Sequence, residues 1–587
     1  MSHNHASISR REFLKLAALG AGSAALAGCK RGVQLTAVPA PAAVYRTAVP
    51  LPPGTPADLL LVNGRVVSMD AANTVHQAVA IAGDKILQTG ADDTIKALAA
   101  PQAQVIDLRG RTVTPGFVDA HNHLIAKGLT GTAYIDINPP AVATVEQMQA
   151  KIAEGCARVG PGRWVVAQGF ISYAGQYPDK TTLDPVSPDN PVMLVNQGGH
   201  MGAVNSYALK LADVDADTPD PKFGKLVRDK QGQPTGGLVN HAALDIFRRI
   251  WYAEVLTPEI RRQAVLSPQP DFAAYGVTTF ADNNVRGMEA AQAYFDAGRE
   301  QAMTLRAYLM NTIEYYAELE GRTDEIDAIR YEDEMLRFGG YKFLLDGALV
   351  AAYTHKPHEG VAWNLSTWEP RALNDAVSTL SALGYQCSFH VVGDAAVDMA
   401  LDAIEFALNV QPRSDHRHRL EHAVLNTEDA LQRTRDLGVV VSTQPHGIRI
   451  FGDYIVEAWG EQRARQIMPT RTWLDLGVPL SISSDSPTMP WWQPQPIIAA
   501  AVNRLTGSNA VLGPDQCLTI DEAMRAYTMG GAYAIFDEQR VGSLEPGKLA
   551  DLLVWRTDPY LATLQEMMAA APIELTLIGG KTVFQTA

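Results

Sequence analysis

Short apolar runs separated by turn residues begin at Asp58 and predict β-strands. Similar apolar runs return near the end of the chain. The runs at both ends are Leu59–Val62, Ala78–Ala82, Lys85–Leu87, Val105–Leu108, Ala550–Trp555 and Leu575–Ile578. Neither group is long enough to bury a core by itself. We therefore predict one composite β-sandwich built from both chain ends, residues 58–114 and 541–587.

Between these ends, strand-like apolar runs alternate with helical segments, a pattern that predicts a parallel sheet. The eight runs are Thr114–Asp119, Val277–Ala281, Leu305–Leu309, Tyr341–Leu345, Gln386–Val392, Arg419–His422, Val439–Thr443 and Leu480–Ser484. We expect an α/β fold, a closed (β/α)₈ TIM-like barrel over residues 115–540. The stretch of about 125–270 is far longer than an ordinary connection and predicts a large insertion after barrel strand 1, over the barrel's mouth.

Residues 1–28 are similar to a twin-arginine signal peptide. Arg10 and Arg11 precede an apolar run, Leu16–Ala27, that is too short to span a bilayer. The sequence Leu-Ala-Gly before Cys29 resembles a lipobox and predicts a lipidated Cys29, with ordinary cleavage after Ala27 as the alternative. Residues 29–57 are rich in Pro and Ala and predict a tether. We expect export by the twin-arginine machinery, to the periplasm or to a membrane through lipidated Cys29.

Composition narrows the class of partner. Hydrophobic residues make up 47% and charged residues 19% of the 587 residues, which is typical of a globular protein. The 49 basic and 64 acidic residues give a net charge of −15, which argues against a nucleic-acid partner but indicates nothing about the substrate. We expect a small-molecule substrate from the candidate site residues described below. Four cysteines are too few for a disulfide framework. The oligomeric state stays open, with a homodimer among the options.

Histidines and one aspartate stand where predicted barrel strands end. His121 and His123 are one residue apart, so they point the same way from a strand. His390, His422 and Asp485 end the fifth, sixth and eighth runs. The carboxyl ends of barrel strands hold the active site in this type of fold. Imidazole and carboxylate ligands suit zinc or a similar divalent ion, so we predict a metal centre with one or two ions.

Lys342 lies in the fourth predicted strand among aromatic and apolar residues. Burial of an ammonium ion is costly and lowers its pKa, and the neutral amine reacts with carbon dioxide. The resulting carbamate is a two-oxygen ligand that can bridge two metal ions. The alternatives are a structural lysine paired with an acid such as Asp346, or one that extends to the barrel rim.

Three further residues have weaker sequence signals. His200 follows Gly198 and Gly199 in the insertion, and we predict that it polarises the scissile carbonyl or holds substrate; a local turn histidine is the alternative. His446 follows the seventh run and is predicted to line the substrate pocket. Arg504 is predicted to form a surface salt bridge.

Several motifs together resemble the amidohydrolase superfamily, in its YtcJ-like (amidohydrolase 3) branch. The matching stretches are Pro115–His123, Gly198–His200, Gly276–Thr279, Lys342 with Asp346 and Gly347, His390 with Gly393 and Asp394, Arg419–His422, Ser484–Pro487 and Gly542–Asp551. The resemblance implies a metal-dependent hydrolase of non-peptide carbon–nitrogen bonds with a TIM-like barrel. It also implies that His121, His123 and Asp485 hold one ion, and that His390 and His422 hold another, with Lys342 bridging.

The expected mechanism is attack by metal-activated hydroxide, with Asp485 passing a proton to the departing amine. An esterase or lactonase on the same metal centre is the main alternative, because the attack step is shared. A deaminase is less favoured, since ring deaminases of this superfamily carry an acid three residues after the fifth-strand histidine, where this chain has Gly393. An inactive lipid-anchored binding protein is the remaining alternative.

Overall fold

A computed structural model describes residues 48–586 except 171–176, 314–321, 358–363, 490 and 569–571. The predicted signal peptide, Cys29 and most of the predicted tether lie outside the described residues. In the part of the chain that is described, no helix has the length and apolar character needed to cross a membrane.

Eight parallel strands form the central sheet, in sequence order from first to last. They are Phe117–Asn122, Val277–Val285, Arg306–Ile313, Leu336–Leu344, Gln386–Val391, Arg419–His422, Val440–Thr443 and Leu480–Ile482. Hydrogen bonds at the carboxyl end join the eighth strand to the first: the Asp485 N–H donates to the His121 carbonyl, and the His123 N–H to the Ser486 carbonyl, both at 2.8 Å. The predicted α/β barrel is confirmed, as a nearly closed sheet.

The first barrel strand begins later than predicted. The predicted run Thr114–Asp119 divides at Gly116 into Thr112–Pro115, which belongs to another sheet, and Phe117–Asn122. A Cβ atom on Gly116 would lie 2.2 Å from Thr278 Oγ1, so only glycine permits this approach to the second barrel strand. The apolar pattern continues across Gly116, so the sequence does not show where one strand ends and the next begins.

Helices follow the barrel strands and cover the sheet. They are Gly287–Arg299, Arg322–Ile329, Pro370–Ala382, Asp394–Val410, Glu428–Asp436, Gly447–Trp459, Glu461–Ala464, Thr470–Asp475, Pro494–Asn503, Ile520–Tyr527 and Met529–Ala534. Local signals set their ends: the Thr427 side chain accepts a hydrogen bond from the Ala430 N–H at the start of Glu428–Asp436. Buried apolar side chains between strands and helices, such as Phe389 and Ile404, form the largest hydrophobic cluster.

The insertion between the first two barrel strands contains a six-stranded mixed sheet. Its strands, in sheet order, are Lys225–Arg228, Pro234–Val239, Met201–Val204, Val192–Asn196, Val165–Phe170 and Ile135–Asp136. Its helices are Leu124–Leu129, Val145–Val159, Lys180–Leu183, Ser206–Leu211, Asn240–Val255, Pro258–Leu266 and Gln269–Ala274. It has a separate apolar cluster that includes Met148 and Leu194. The large insertion after barrel strand 1 is therefore present as predicted.

Two further sheets contain the remaining strands. One has the order Lys85–Gly90, Ala78–Ala82, Ala57–Val62, Ala99–Asp107, with the short helix Asp92–Lys96 beside it. The other has the order Lys581–Gln585, Ile573–Ile578, Leu552–Trp555, Thr112–Pro115, Arg65–Val67, Val75–His76. Residues of both sheets, such as Leu61 and Leu552, share one apolar cluster. In the sequence, the helix Leu564–Met568 follows strand Leu552–Trp555 and precedes strand Ile573–Ile578.

Arg504 is not at the surface. It has no exposed side-chain area, and its guanidinium donates to the carbonyls of Ile467, Met468 and Leu512 at 2.8–3.0 Å. The predicted surface salt bridge is wrong, because the buried Arg504 side chain donates hydrogen bonds to backbone carbonyls. Satisfying three buried carbonyls is a role that a lone arginine in a sequence does not signal.

Candidate active site

Ligand atoms from three barrel strands converge at the carboxyl end of the sheet. One ligand atom each from His121, His422 and Asp485 lies within 4.8 Å of the others, and all three residues are buried. His123 joins them, with its Nε2 2.9 Å from Asp485 Oδ1. His121 Nε2 lies 3.3 Å from the same oxygen. The first, sixth and eighth strands therefore deliver imidazole nitrogens and a carboxylate to one point.

Hydrogen bonds orient two of these rings. Nδ1 of His121 lies 2.5 Å from Glu421 Oε2, and Nδ1 of His422 lies 2.6 Å from Gln444 Oε1. Each ring therefore donates from Nδ1, so the lone pair is on Nε2. His121 Nε2 is buried and has no hydrogen-bond partner among the described residues. A buried nitrogen that lacks a hydrogen-bond partner and lies beside a carboxylate fits a site for a divalent cation, because both groups can serve as metal ligands.

The backbone at two of these residues is left-handed. His422 has φ of 69° and Asp485 has φ of 53°, a region that residues other than glycine enter at a cost of order 1–3 kcal/mol. The Asp485 N–H is held by the His121 carbonyl. Such strain persists only where the surroundings impose it, and here it directs both side chains into the site.

Glu421 is the centre of a buried polar network. Its Oε1 accepts hydrogen bonds from Ser388 Oγ and Arg419 Nε, at 2.6 and 2.8 Å. Burial opposes ionisation of Glu421, but Arg419, His121 and Lys342 outweigh it and hold the pKa of the carboxyl well below its usual range. Glu421 is therefore an anion that supports His121 from behind.

Lys342 reaches the same cavity from the fourth barrel strand. Its Nζ is buried and has no hydrogen-bond partner among the described residues. Burial lowers the pKa of Lys342 to about 8, although Glu421 and Asp485 act to raise it. The lowered pKa raises the fraction of neutral amine, which is the form that reacts with carbon dioxide.

His390 stands beside the three-residue cluster. Its ring centroid lies 4.5 Å from that of His422, and its Nε2 lies 3.4 Å from the Gly347 carbonyl oxygen. His422 lies between His121 and His390, the residue with which the resemblance pairs it: its ring centroid is 4.8 Å from that of His121 and 4.5 Å from that of His390. Asp346, 3.7 Å from His390 Nε2, has its pKa raised to about 7 by burial.

A cavity of about 310 Å³ opens above these residues and includes His200 in its lining. The His200 ring centroid lies 4.5 Å from that of His390, and its Nδ1 is buried with no partner in the described chain. Burial lowers the pKa of His200 to about 3, so its ring is neutral near pH 7. His446 lies elsewhere: it lines a separate cavity of about 50 Å³ with Arg449 and Trp491.

Three residues of the candidate site were not predicted from the sequence. Glu421 and Gln444 orient metal-site histidines, and an acid directly before His422 in a buried strand was the available signal for Glu421. His241 lines the cavity at the first turn of helix Asn240–Val255. The Asn240 N–H donates to the His200 carbonyl at 2.8 Å, and this contact brings the two histidines together. No sequence pattern marks His241.

Comparison with known proteins places this geometry in a family. Residues 104–584 match the model of the amidohydrolase family, and the chain belongs to that family. An N-substituted formamide deformylase from Arthrobacter pascens is 34% identical over 514 residues, which cover 86% of this chain and 94% of that protein. A putative amidohydrolase, YtcJ, from Bacillus subtilis is 26% identical over 531 residues, which cover 87% and 96%.

Solved structures show the same fold. The crystal structure of an uncharacterized metal-dependent hydrolase from Pyrococcus horikoshii aligns with a TM-score of 0.69 and 26% identity. The alignment covers 86% of this chain and 99% of that one. Together with the histidine–aspartate cluster, this similarity supports a divalent metal in the barrel.

Proposed function

We propose that the protein is a metal-dependent hydrolase of non-peptide carbon–nitrogen bonds, with an N-substituted formamide as its substrate class. The observation that carries the proposal is the convergence of His121, His422 and Asp485 at one end of the barrel. The extended similarity to an N-substituted formamide deformylase supports the choice of substrate. The products are formate and an amine.

We infer the metal-binding residues from the imidazole and carboxylate groups that meet at the site. His121, His123 and Asp485 would hold one zinc-like ion, His390 and His422 would hold a second, and Lys342 would serve both. A bound ion of this kind acts as a Lewis acid and lowers the pKa of water. Glu421 and Gln444 keep Nε2 of the two rings they contact available as the ligand atom.

Asp485 is the proton carrier in this proposal. Its carboxylate lines the cavity and already contacts His121 and His123. It accepts a proton as the water oxygen bonds to the carbonyl carbon, and it returns the proton to nitrogen as the carbon–nitrogen bond breaks. Without that proton the amine is a poor leaving group. Neutral His200 donates a hydrogen bond to the carbonyl oxygen.

We also propose that Lys342 is carboxylated. Its neutral amine attacks carbon dioxide, forms one carbon–nitrogen bond and releases one proton, leaving a carbamate with two ligand oxygens. The support is that Nζ has no hydrogen-bond partner in the described part of the chain and that the pKa of Lys342 is lowered. The carbamate adds the anionic ligand that a two-ion site requires.

A substrate panel tests the proposed reaction. Zinc-loaded protein is assayed with N-benzylformamide, N-benzylacetamide, a cyclic imide, a lactone and adenine, and the release of amine, acid or ammonia is measured. The proposal expects formamide hydrolysis to have the highest kcat/KM. Turnover of the lactone alone would identify an esterase or lactonase, and ammonia release from adenine would identify a deaminase.

We further propose export, with attachment to a membrane through lipidated Cys29. The support is the Arg10–Arg11 pair, the short apolar run and the position of Cys29 after Leu-Ala-Gly. Replacing both arginines by lysine should leave the precursor in the cytoplasm. Cys29→Ser should move the exported protein from the membrane to the soluble fraction. Membrane retention of Cys29→Ser would overturn the lipid anchor.

A further inference from the structure

His241 is held by two arginines at the cavity wall. Arg248 Nη1 lies 3.0 Å and Arg286 Nη2 lies 3.1 Å from His241 Nδ1. Guanidinium nitrogens only donate, so Nδ1 accepts from both and the ring proton is on Nε2. Burial and the neighbouring arginines hold the pKa of His241 well below its usual range, which agrees with a neutral ring. The remaining ring donor is therefore the Nε2–H group.

His241 lies farther from the metal-site residues than His200 does, because His200 stands between His241 and His390. Its ring centroid lies 4.8 Å from that of His200, which lies 4.5 Å from that of His390. His200 and His390 line the same cavity. A substrate whose scissile bond lies at the metal cluster would place its N-substituent, rather than its carbonyl group, beside His241.

The cavity lining carries more positive than negative side chains. Apart from the metal-site residues, the described lining includes five arginines and two carboxylates, Asp245 and Glu289. The arginines are Arg248, Arg249, Arg261, Arg286 and Arg322. Asp245 accepts from Arg248 at 3.2 Å. Because the whole chain has a net charge of −15, this local surplus of guanidinium groups runs against the overall balance.

We infer that His241, Arg248 and Arg286 form a subsite for a carboxylate on the N-substituent of the substrate. The inference rests on the proposed function, since it assumes an N-substituted formamide at the metal cluster. A carboxylate suits the site because guanidinium groups and an imidazole N–H all donate, and charge-assisted hydrogen bonds are the stronger kind. The preferred substrate is then an N-formyl amino acid or a related N-acyl acid, and a neutral formamide is hydrolysed less efficiently.

Two formamides that differ only by the carboxylate test the subsite. N-formylphenylalanine and N-(2-phenylethyl)formamide are compared as substrates of the zinc-loaded protein. The subsite predicts a kcat/KM at least about tenfold higher for the carboxylate, as expected for one charged hydrogen bond. Arg286→Met should reduce that ratio to near one, whereas Arg299→Met, at the exposed end of the following helix, should keep it. Equal kcat/KM values in the unaltered protein would overturn the inference.

A binding measurement separates this inference from the proposed reaction. If neither formamide is hydrolysed, the proposed function fails, but 3-phenylpropionate can still be titrated calorimetrically into the zinc-loaded protein. The subsite predicts that Arg286→Met weakens this binding at least about tenfold while Arg299→Met leaves it unchanged. Equal binding by all three proteins would assign the carboxylate to the metal alone and overturn the subsite. Circular dichroism of each variant controls for folding.

Discussion

Glu421 Oε2 lies 2.5 Å from Nδ1 of His121, between the sixth and first strands of the barrel. This contact orients the imidazole so that Nε2 faces Asp485. The same arrangement recurs at His422, where Gln444 takes the place of the carboxylate. The metal site therefore depends on residues that do not touch the ion, and their removal is the first test of its architecture.

Gln444→Leu should weaken zinc binding without abolishing the fold. The change removes the acceptor for His422 Nδ1, so the ring loses its fixed orientation; such losses cost about 10–100-fold in metal affinity. Competition with a chromophoric chelator measures the affinity. Gln292→Leu is the matched control, because the Gln292 amide donates to Asp296 and Gln292 is not among the residues that line the cavity. Equal affinities in the two variants would contradict the assigned role of Gln444.

Asp485→Asn should leave a folded protein with little turnover. The amide keeps the size of the side chain but cannot accept and return a proton, and general acid–base assistance contributes about 10²–10⁴-fold to a rate. Steady-state kcat at saturating zinc measures the effect, so that weaker metal binding does not mask it. Asp296→Asn is the control, because that side chain forms an exposed ion pair. An unchanged kcat would remove Asp485 from the proton pathway.

Lys342→Ala should lower the zinc content of the protein. In the unaltered enzyme, zinc uptake should depend on the presence of carbon dioxide. Removal of bicarbonate during metal loading should reduce zinc uptake, and ¹³C-bicarbonate should give a carbamate resonance that Lys342→Ala lacks. Lys225→Ala, on a strand of the insertion where the side chain is exposed, should retain both properties. A resonance that persists in Lys342→Ala would assign the carbamate elsewhere.

Asp551→Ala should destabilise the whole chain. Asp551 binds Arg306 of the third barrel strand through two contacts of 2.7 and 3.0 Å, and both side chains are buried. Loss of one partner leaves a buried charge unpaired, at a cost of about 3–5 kcal/mol. The urea midpoint should fall, and the double variant Arg306→Met with Asp551→Leu should recover part of the loss. A midpoint equal to that of the exposed-site variant Asp296→Ala would contradict this account.

Much of the barrel was predictable because its strands are buried on both faces. Their apolar runs stand out against the helices, and Arg419–His422 has the predicted bounds. The start of the first strand was missed, because Thr112–Pro115 and Phe117–Asn122 are equally apolar and only the close approach of Thr278 to Gly116 separates them. Strand ends are set by such tertiary contacts.

The site was predictable in part. His121, His123 and Asp485 carry a signal because they end apolar runs in a fold whose strand ends meet. His241 carries none, since a histidine at a helix start is ordinary until the helix is placed beside Arg286 and the barrel. His446 lies three residues beyond the seventh predicted run and lines a separate cavity, whereas His422 ends the sixth run and has the left-handed backbone that directs its ring into the site. Left-handed backbone angles at residues other than glycine cannot be predicted from the local sequence pattern.

Metal removal and restoration, followed by formate release from N-benzylformamide, tests the central claim most directly. Dialysis against a chelator should abolish formate release, and zinc added to one or two equivalents per chain should restore it, with amine and formate produced in equal amounts. Formate release that continues in metal-free protein, or zinc-restored protein that hydrolyses only the lactone, would contradict a metal-dependent hydrolase of carbon–nitrogen bonds.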